Sequence, residues 1–366
     1  MTDTHCIEEQ RLKHSNARNQ TNVSWMRRIC VGFSLLSPTI FHAQQALGTG
    51  GQSRSVAEQP PAGWSDRSTH RVQFLNSGGV KLQYLDWGGR GPLMIWLPGF
   101  RSSAHIFDDL APRFADKFHV VALTPRGHGE SDAPDDAQYS LMALEGDLRA
   151  LFDTLKADRA FLVGHSLAGA VMTQFAARYP ERVLGLAYLD ANGRPTGLDS
   201  IAARQPRRAP PTNPEVLKRP DGLRAFAAAT SYGQWSNAAE ADFQARPVGD
   251  EGARRNKLLA PLMQEFVSSR ADYVPLKSPV LAICVVSGPK SDFAWVKDDP
   301  GAGESMMSFL RDVQNPFQRR ECQQLQREAP QAQTTEIESW HYVFLAAPDH
   351  VEQLMRTFLQ AKVLKQ

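Results

Sequence analysis

Neither sign of charge prevails in this chain: 41 Lys and Arg face 39 Asp and Glu, a formal net charge of +2 over 366 residues. No basic block stands out, so no nucleic-acid partner is expected. No metal-binding cluster and no phosphate-cradling glycine loop can be read along the chain, so neither a metal nor a cofactor is implied. No internal repeat appears. The mostly apolar run over residues 29–41 is too short for a comfortable membrane span, which argues against a stable membrane anchor. Cysteine is scarce at four residues, and two of these, Cys6 and Cys30, fall in the first thirty positions.

Those early positions read as a leader. Residues 1–25 are polar and without periodicity, as expected of an upstream extension foreign to the natural protein, or of disorder. Residues 26–46 then supply Met26-Arg27-Arg28, an apolar run and small residues around Ala43 and Ala46, the layout of a secretory signal peptide. A periplasmic or secreted location is the expectation. Pro38 and Phe41 make the cleavage site a poor one. Cys284 and Cys322 remain in the mature part, either as a disulfide or as separate thiols, Cys284 being a small core residue in an apolar strand. Residues 47–69 are rich in Gly, Ser, Pro and Gln and read as a linker.

Chemistry concentrates at residues 161–170. Phe161-Leu162-Val163 is the end of a buried strand, Gly164-His165-Ser166-Leu167-Ala168 a sharp turn, and residues 169–179 a helix. A serine on such a turn presents its hydroxyl above the sheet, and the N–H of Leu167 at the helix N-terminus is free to stabilise an oxyanion. Gly164 and Ala168 satisfy the need for small residues two before and two after it. The bare pattern arises by chance in roughly one chain in four of this length, so the flanking segments decide.

Those segments begin near His70. Residues 71–75 and 80–87 alternate as two antiparallel strands around Ser77-Gly78-Gly79. Residues 93–97 are a buried strand that empties into Pro98-Gly99-Phe100, where the Phe100 N–H is the second candidate oxyanion donor. A helix over 107–114, a buried strand over 119–123, a glycine-punctuated loop over 125–132 and a helix over 141–155 lead back to the serine turn. His128, between two glycines, reads as structural.

Strand, Pro-Gly-Phe loop, helix, strand, Arg126-Gly127-His128-Gly129-Glu130-Ser131 loop, helix, strand and Gly164-His165-Ser166-Leu167-Ala168-Gly169 turn, in this order, resemble the α/β-hydrolase fold family over roughly residues 71–362. The resemblance implies an α/β fold: a mostly parallel, eight-stranded sheet flanked by helices, with a helical cap inserted after strand six. Domains follow as a core over 70–193, a cap over 194–275 and the rest of the core over 276–366. Relatives commonly have His-Gly where this chain has Pro98-Gly99, so a side chain that often braces that loop is missing.

The family holds its catalytic base just after the last strand, which places His341 in that role; His350 reads as a surface residue. The acid has two candidates. Many relatives keep it after the strand matching residues 279–286, where only Asp292 follows, four residues late. Asp190 ends the preceding strand and resembles the acid position of the haloalkane dehalogenase branch; its other reading is a structural carboxylate at the cap hinge. Phe226, Trp235 and Phe243, together with Trp340 beside the base, are candidates to contact substrate, the other reading of each cap aromatic being that it packs the cap onto the core. A serine at the elbow argues against epoxide hydrolase or dehalogenase chemistry, whose family members carry a carboxylate there. The expected activity is hydrolysis of a small-molecule carboxylic ester or lactone through a Ser-His-Asp triad. Carbon–carbon or peroxidative chemistry on the same triad is the alternative, and a non-catalytic binding protein of the same fold the more distant one.

Overall fold

A computed structural model of the chain describes residues 59–192, 221–228, 232–288 and 300–364. The leader at 26–46, the start of the insertion and Asp292 lie outside the described residues. Eight strands form one sheet in the order β1-β2-β4-β3-β5-β6-β7-β8. β1 (Arg71–Ser77), β2 (Val80–Gly88) and β4 (His119–Leu123) pair antiparallel at one side. β3 (Leu93–Leu97), β5 (Ala160–His165), β6 (Val183–Leu189), β7 (Val280–Val286) and β8 (Ala332–Glu338) continue the sheet in parallel. The β1–β2 hairpin turns on Gly78 and Gly79, whose φ values of +58° and +91° suit a two-residue turn that side chains disfavour.

Continuous apolar strands imply a sheet covered on both faces, because side chains alternate. β3 shows this residue by residue. Met94 and Trp96 join one cluster, with Phe107, Phe114, Phe161 and Phe344, while Leu93, Ile95 and Leu97 join the other, with Leu162, Phe175 and Tyr188. The second face is covered by α1 (Leu141–Thr154) and α2 (Ala168–Arg178). Ser140 caps α1 by accepting from the Ala143 N–H at 3.1 Å.

Between β6 and β7 lies an insertion that contributes α3 (Gly222–Ala227), α4 (Asn237–Ala245) and α5 (Gly249–Ser268). After β7 come α6 (Pro300–Phe309), a π-helical turn at Leu310–Gln314 and α7 (Asn315–Glu328). α8 (Val343–Ala346) and α9 (Pro348–Lys362) close the chain, and α9 buries Val351, Met355, Phe358 and Leu359 on the first face. The expected helix over 107–114 is instead two 3₁₀ turns, Ala104–Phe107 and Ala111–Phe114. Pro112 explains the break, since it lacks an N–H and cannot continue a helix through its own position. Among the described residues no helix is long and apolar enough to cross a membrane.

Cys284 of β7 and Cys322 of α7 are joined by a disulfide, with Cα atoms 6.3 Å apart. The stretch read as a linker is fixed to the fold over its last residues. Trp64 Nε1 donates to Asn237 Oδ1 at 3.2 Å, and Ser68 Oγ accepts from Trp87 Nε1 at 2.9 Å.

Beside the disulfide, Glu321 is buried with Oε2 lacking a partner among the described residues. Burial pushes its carboxyl from 4.5 up to about 7. The folded state therefore binds this proton more tightly than the unfolded chain does. Stability from this group is fullest below about pH 4.5 and falls as pH rises to about 7. Discounted for solvent screening, the fall is about 1–2 kcal/mol. Glu321→Gln is expected to be more stable than the parent at pH 8 and similar near pH 5, as read by urea denaturation. Identical pH dependence in both proteins would refute the assignment.

Candidate active site

Ser166 sits between β5 and α2 at φ +54°, in the left-handed region that a side chain rarely adopts. The Gly169 N–H closes the turn on the Ser166 carbonyl at 3.0 Å. Small neighbours are a steric necessity here. A Cβ added at Gly164 would come within 2.7 Å of Met172 Cε and 3.2 Å of the Ala168 Cβ. One at Gly169 would come within 1.9 Å of the Ala191 carbonyl oxygen. Gly99 likewise lets the 98–103 loop approach, since a Cβ there would lie 2.9 Å from both Ser166 Cβ and His165 Nδ1.

The N–H groups of Leu167 and Phe100 make no hydrogen bond among the described residues, so both are available. Their side chains pack into one apolar cluster with Leu259, Leu262, Met263 and Phe266 of α5. The insertion thus lays an apolar roof against the serine turn.

His341 follows β8, and its Nδ1 meets Asp190 Oδ2 at 2.5 Å. Asp190 is held on both sides: its N–H donates to the Ile283 carbonyl at 2.9 Å, and its Oδ1 accepts from the Val285 N–H at 3.2 Å. Its φ of +45° turns the carboxylate out of the ladder toward the histidine. Both side chains are largely shielded, at 11% and 13% exposure. Ser166 Oγ has no hydrogen-bond partner among the described residues, and such contacts commonly tighten only with substrate bound.

His165 links serine and histidine segments. Its Nε2–H donates to the His341 carbonyl at 3.2 Å, and its ring lies 4.3 Å from that of His341 and 4.6 Å from that of Tyr342. Burial, reinforced by nearby His341, lowers its pKa well below the ordinary value, so it stays neutral and keeps this bond. His128 is also neutral: burial lowers it to about 4, and its Nδ1 is bonded to the Arg126 carbonyl.

The missing brace of the 98–103 loop is replaced from the insertion. Asp242 of α4, fully buried, accepts from both the N–H and the Oγ–H of Ser103, at 2.6 and 2.9 Å, while Arg246 donates to its other oxygen at 2.6 Å. Ser102 Oγ is 3.3 Å from the Tyr342 hydroxyl, next to His341. Asp242→Asn would turn an amide toward Arg246 and remove the buried countercharge. A loss of about 3 kcal/mol is expected in urea denaturation, since breaking one partner of a buried pair is costly. A loss below about 1 kcal/mol would refute the clamp.

The substrate-contact candidates divide. Trp235 donates its indole N–H to Glu240 at 2.8 Å and packs on Tyr232 and Phe243, so it packs the insertion, as does the fully buried Phe243. Trp340 is half-buried and packs against Gly233, where an added Cβ would lie 2.7 Å from its ring. The Phe226 side chain lies outside the described residues, as does Asp292. His350 is exposed on α9. Sequence reasoning missed Asp242 and His165, whose partners are far along the chain.

Comparison with known proteins agrees with this architecture. The chain is 36% identical over 141 residues to human (Homo sapiens) epoxide hydrolase 4, covering 37% of this chain and 39% of that protein. It is 40% identical over 107 residues to fluoroacetate dehalogenase from Burkholderia sp, covering 28% of this chain and 35% of that protein. It thus spans well under half the length of these curated relatives. The solved structure of Est816, an N-acyl homoserine lactone degrading enzyme, superposes with a TM-score of 0.55 at 21% identity, over 78% of this chain and all of that one. Residues 92–311 match the alpha/beta hydrolase fold family, and with the sheet order and the serine turn this shows that the chain belongs to it.

Proposed function

We propose that this alpha/beta hydrolase cleaves a carboxylic ester or lactone through a covalent acyl-enzyme. The carrying observation is the contact of Asp190 with His341 Nδ1, beside a serine in a strained elbow. Asp190 fixes the tautomer that leaves Nε2 of His341 free to take the Ser166 proton. Ser166 Oγ attacks the carbonyl carbon, and the resulting oxyanion receives the N–H groups of Leu167 and Phe100. His341 returns the proton to the leaving alkoxide, the C–O bond breaks, and water repeats the cycle on the acyl-enzyme. The hydroxyl of Ser166 at the elbow, in place of a carboxylate, argues against epoxide-opening or dehalogenating chemistry.

A fluorophosphonate probe should label the wild-type chain and fail to label Ser166→Ala. Absence of labelling in the wild type would favour a binding protein. Esters of graded chain length and simple lactones then read the substrate class, and the apolar roof on α5 favours an apolar acyl group.

Export is part of the same proposal. It is supported by the leader pattern at 26–46 and by the Cys284–Cys322 disulfide, which an oxidising compartment maintains. N-terminal sequencing of periplasmic or medium protein should begin between about residues 44 and 51. Recovery of the full-length chain from the cytoplasm alone would refute export.

A further inference from the structure

Away from the serine turn, the fold assembles four metal-ligating side chains that the sequence reading, which found no metal cluster, overlooked. Asp66 and His70 belong to the segment before β1, and His105 and Asp108 to the 3₁₀ turn after the 98–103 loop. We propose that Asp66, His70, His105 and Asp108 bind one divalent transition-metal ion of the zinc class, as a structural site that fastens the entering chain beneath that loop.

Geometry is the first argument. One donor atom from each residue can be chosen so that all lie within 4.8 Å of one another. His70 Nδ1 is 2.8 Å from Asp108 Oδ1, and His105 Nδ1 is 3.0 Å from Asp108 Oδ2 and 3.3 Å from Asp66 Oδ2. His70 Nε2 lies 3.8 Å from Asp66 Oδ2. Four ligands on a tetrahedral zinc ion are about 3.3 Å apart, so small side-chain rotations would admit the ion.

Donor chemistry is the second. Two imidazoles with two carboxylates suit zinc, whereas calcium and magnesium prefer oxygen alone. Two carboxylates also balance a divalent charge, and four protein ligands leave no position open for catalysis.

Support is the third. Asp66 Oδ1 accepts from the Ser68 N–H at 2.9 Å, and the His70 ring stands edge-on to His105 and Trp87. Such outer contacts hold metal ligands in orientation. The Asp108 side chain is 1% exposed and that of Asp66 27%, so the cluster is enclosed but keeps one path for an ion. The competing state is a metal-free network in which the two imidazoles hydrogen-bond to the carboxylates.

Zinc chloride titrated into the metal-stripped full chain, followed by gel filtration and elemental analysis, separates the two. One tightly held zinc per chain is expected, with a rise in Tm that magnesium does not reproduce. His70→Ala and His105→Ala should each weaken zinc binding at least about 100-fold. Unchanged zinc content in the folded double variant would overturn the proposal, as would wild-type protein that neither retains zinc nor gains Tm. Should the variants fail to fold, X-ray absorption of zinc in the wild-type chain decides. A shell of two imidazoles and two oxygens supports the site, and any other shell overturns it.

Discussion

Ser166→Ala and His341→Ala are each expected to remove nearly all turnover, a loss on the order of 10⁶ in kcat, because nucleophile and base act as one unit. The fold should survive both changes. Neither side chain belongs to the apolar clusters that hold the sheet, and the alanine at 166 adds no atom to the crowded contact with Gly99. Steady-state assay against the best ester or lactone, with circular dichroism as the folding check, reads the result. Activity within about tenfold of the parent in either folded variant would move the site elsewhere.

Asp190→Asn should lower kcat by up to about 10⁴ with little change in fold. An amide oxygen can still accept from the Val285 N–H, which fixes one side of the group. The other side then faces His341 Nδ1, where an NH₂ group would favour the wrong tautomer and give no support to the imidazolium. The alternative acid provides the control: Asp292→Asn is expected to cost less than about tenfold. The reverse ranking on folded proteins would transfer the role to Asp292.

The parallel strands were legible because burial on both faces leaves continuous apolar runs, and residues 93–97 and 119–123 form strands over the whole of those runs. The candidates Ser166 and Asp190 directly follow two such strands, β5 and β6, whereas His341 follows the largely polar β8 and is singled out by its place after the last strand. The insertion was harder. α4 carries a Ser236 cap that accepts from the Ala239 N–H at 3.2 Å, a signal present in the sequence but hidden among many small residues. Asp242 could not be found this way, since its partner Ser103 lies 139 residues earlier and nothing local marks the pair. The Asp66–Asp108 cluster escaped for the same reason, being split between an apparent linker and a loop exit. Periodicity reports what a residue does for its own element, and these side chains serve another.

The backbone at the serine turn has an implication for how this protein would change under selection. Ser166 and Asp190 hold φ at +54° and +45°, a region where glycine rests at ease and other residues bear about 1 kcal/mol or more of strain. Glycine at position 166 should therefore yield a chain that tolerates heat better and no longer turns over, whereas at position 190 it would orphan the buried Val285 N–H and lose more than it relieves. A variant library screened for thermal tolerance alone would drift toward glycine at position 166, while one screened for turnover would hold the serine fixed. Durability and chemistry compete at that one backbone angle, so a hardier enzyme has to be sought in the insertion and the outer helices.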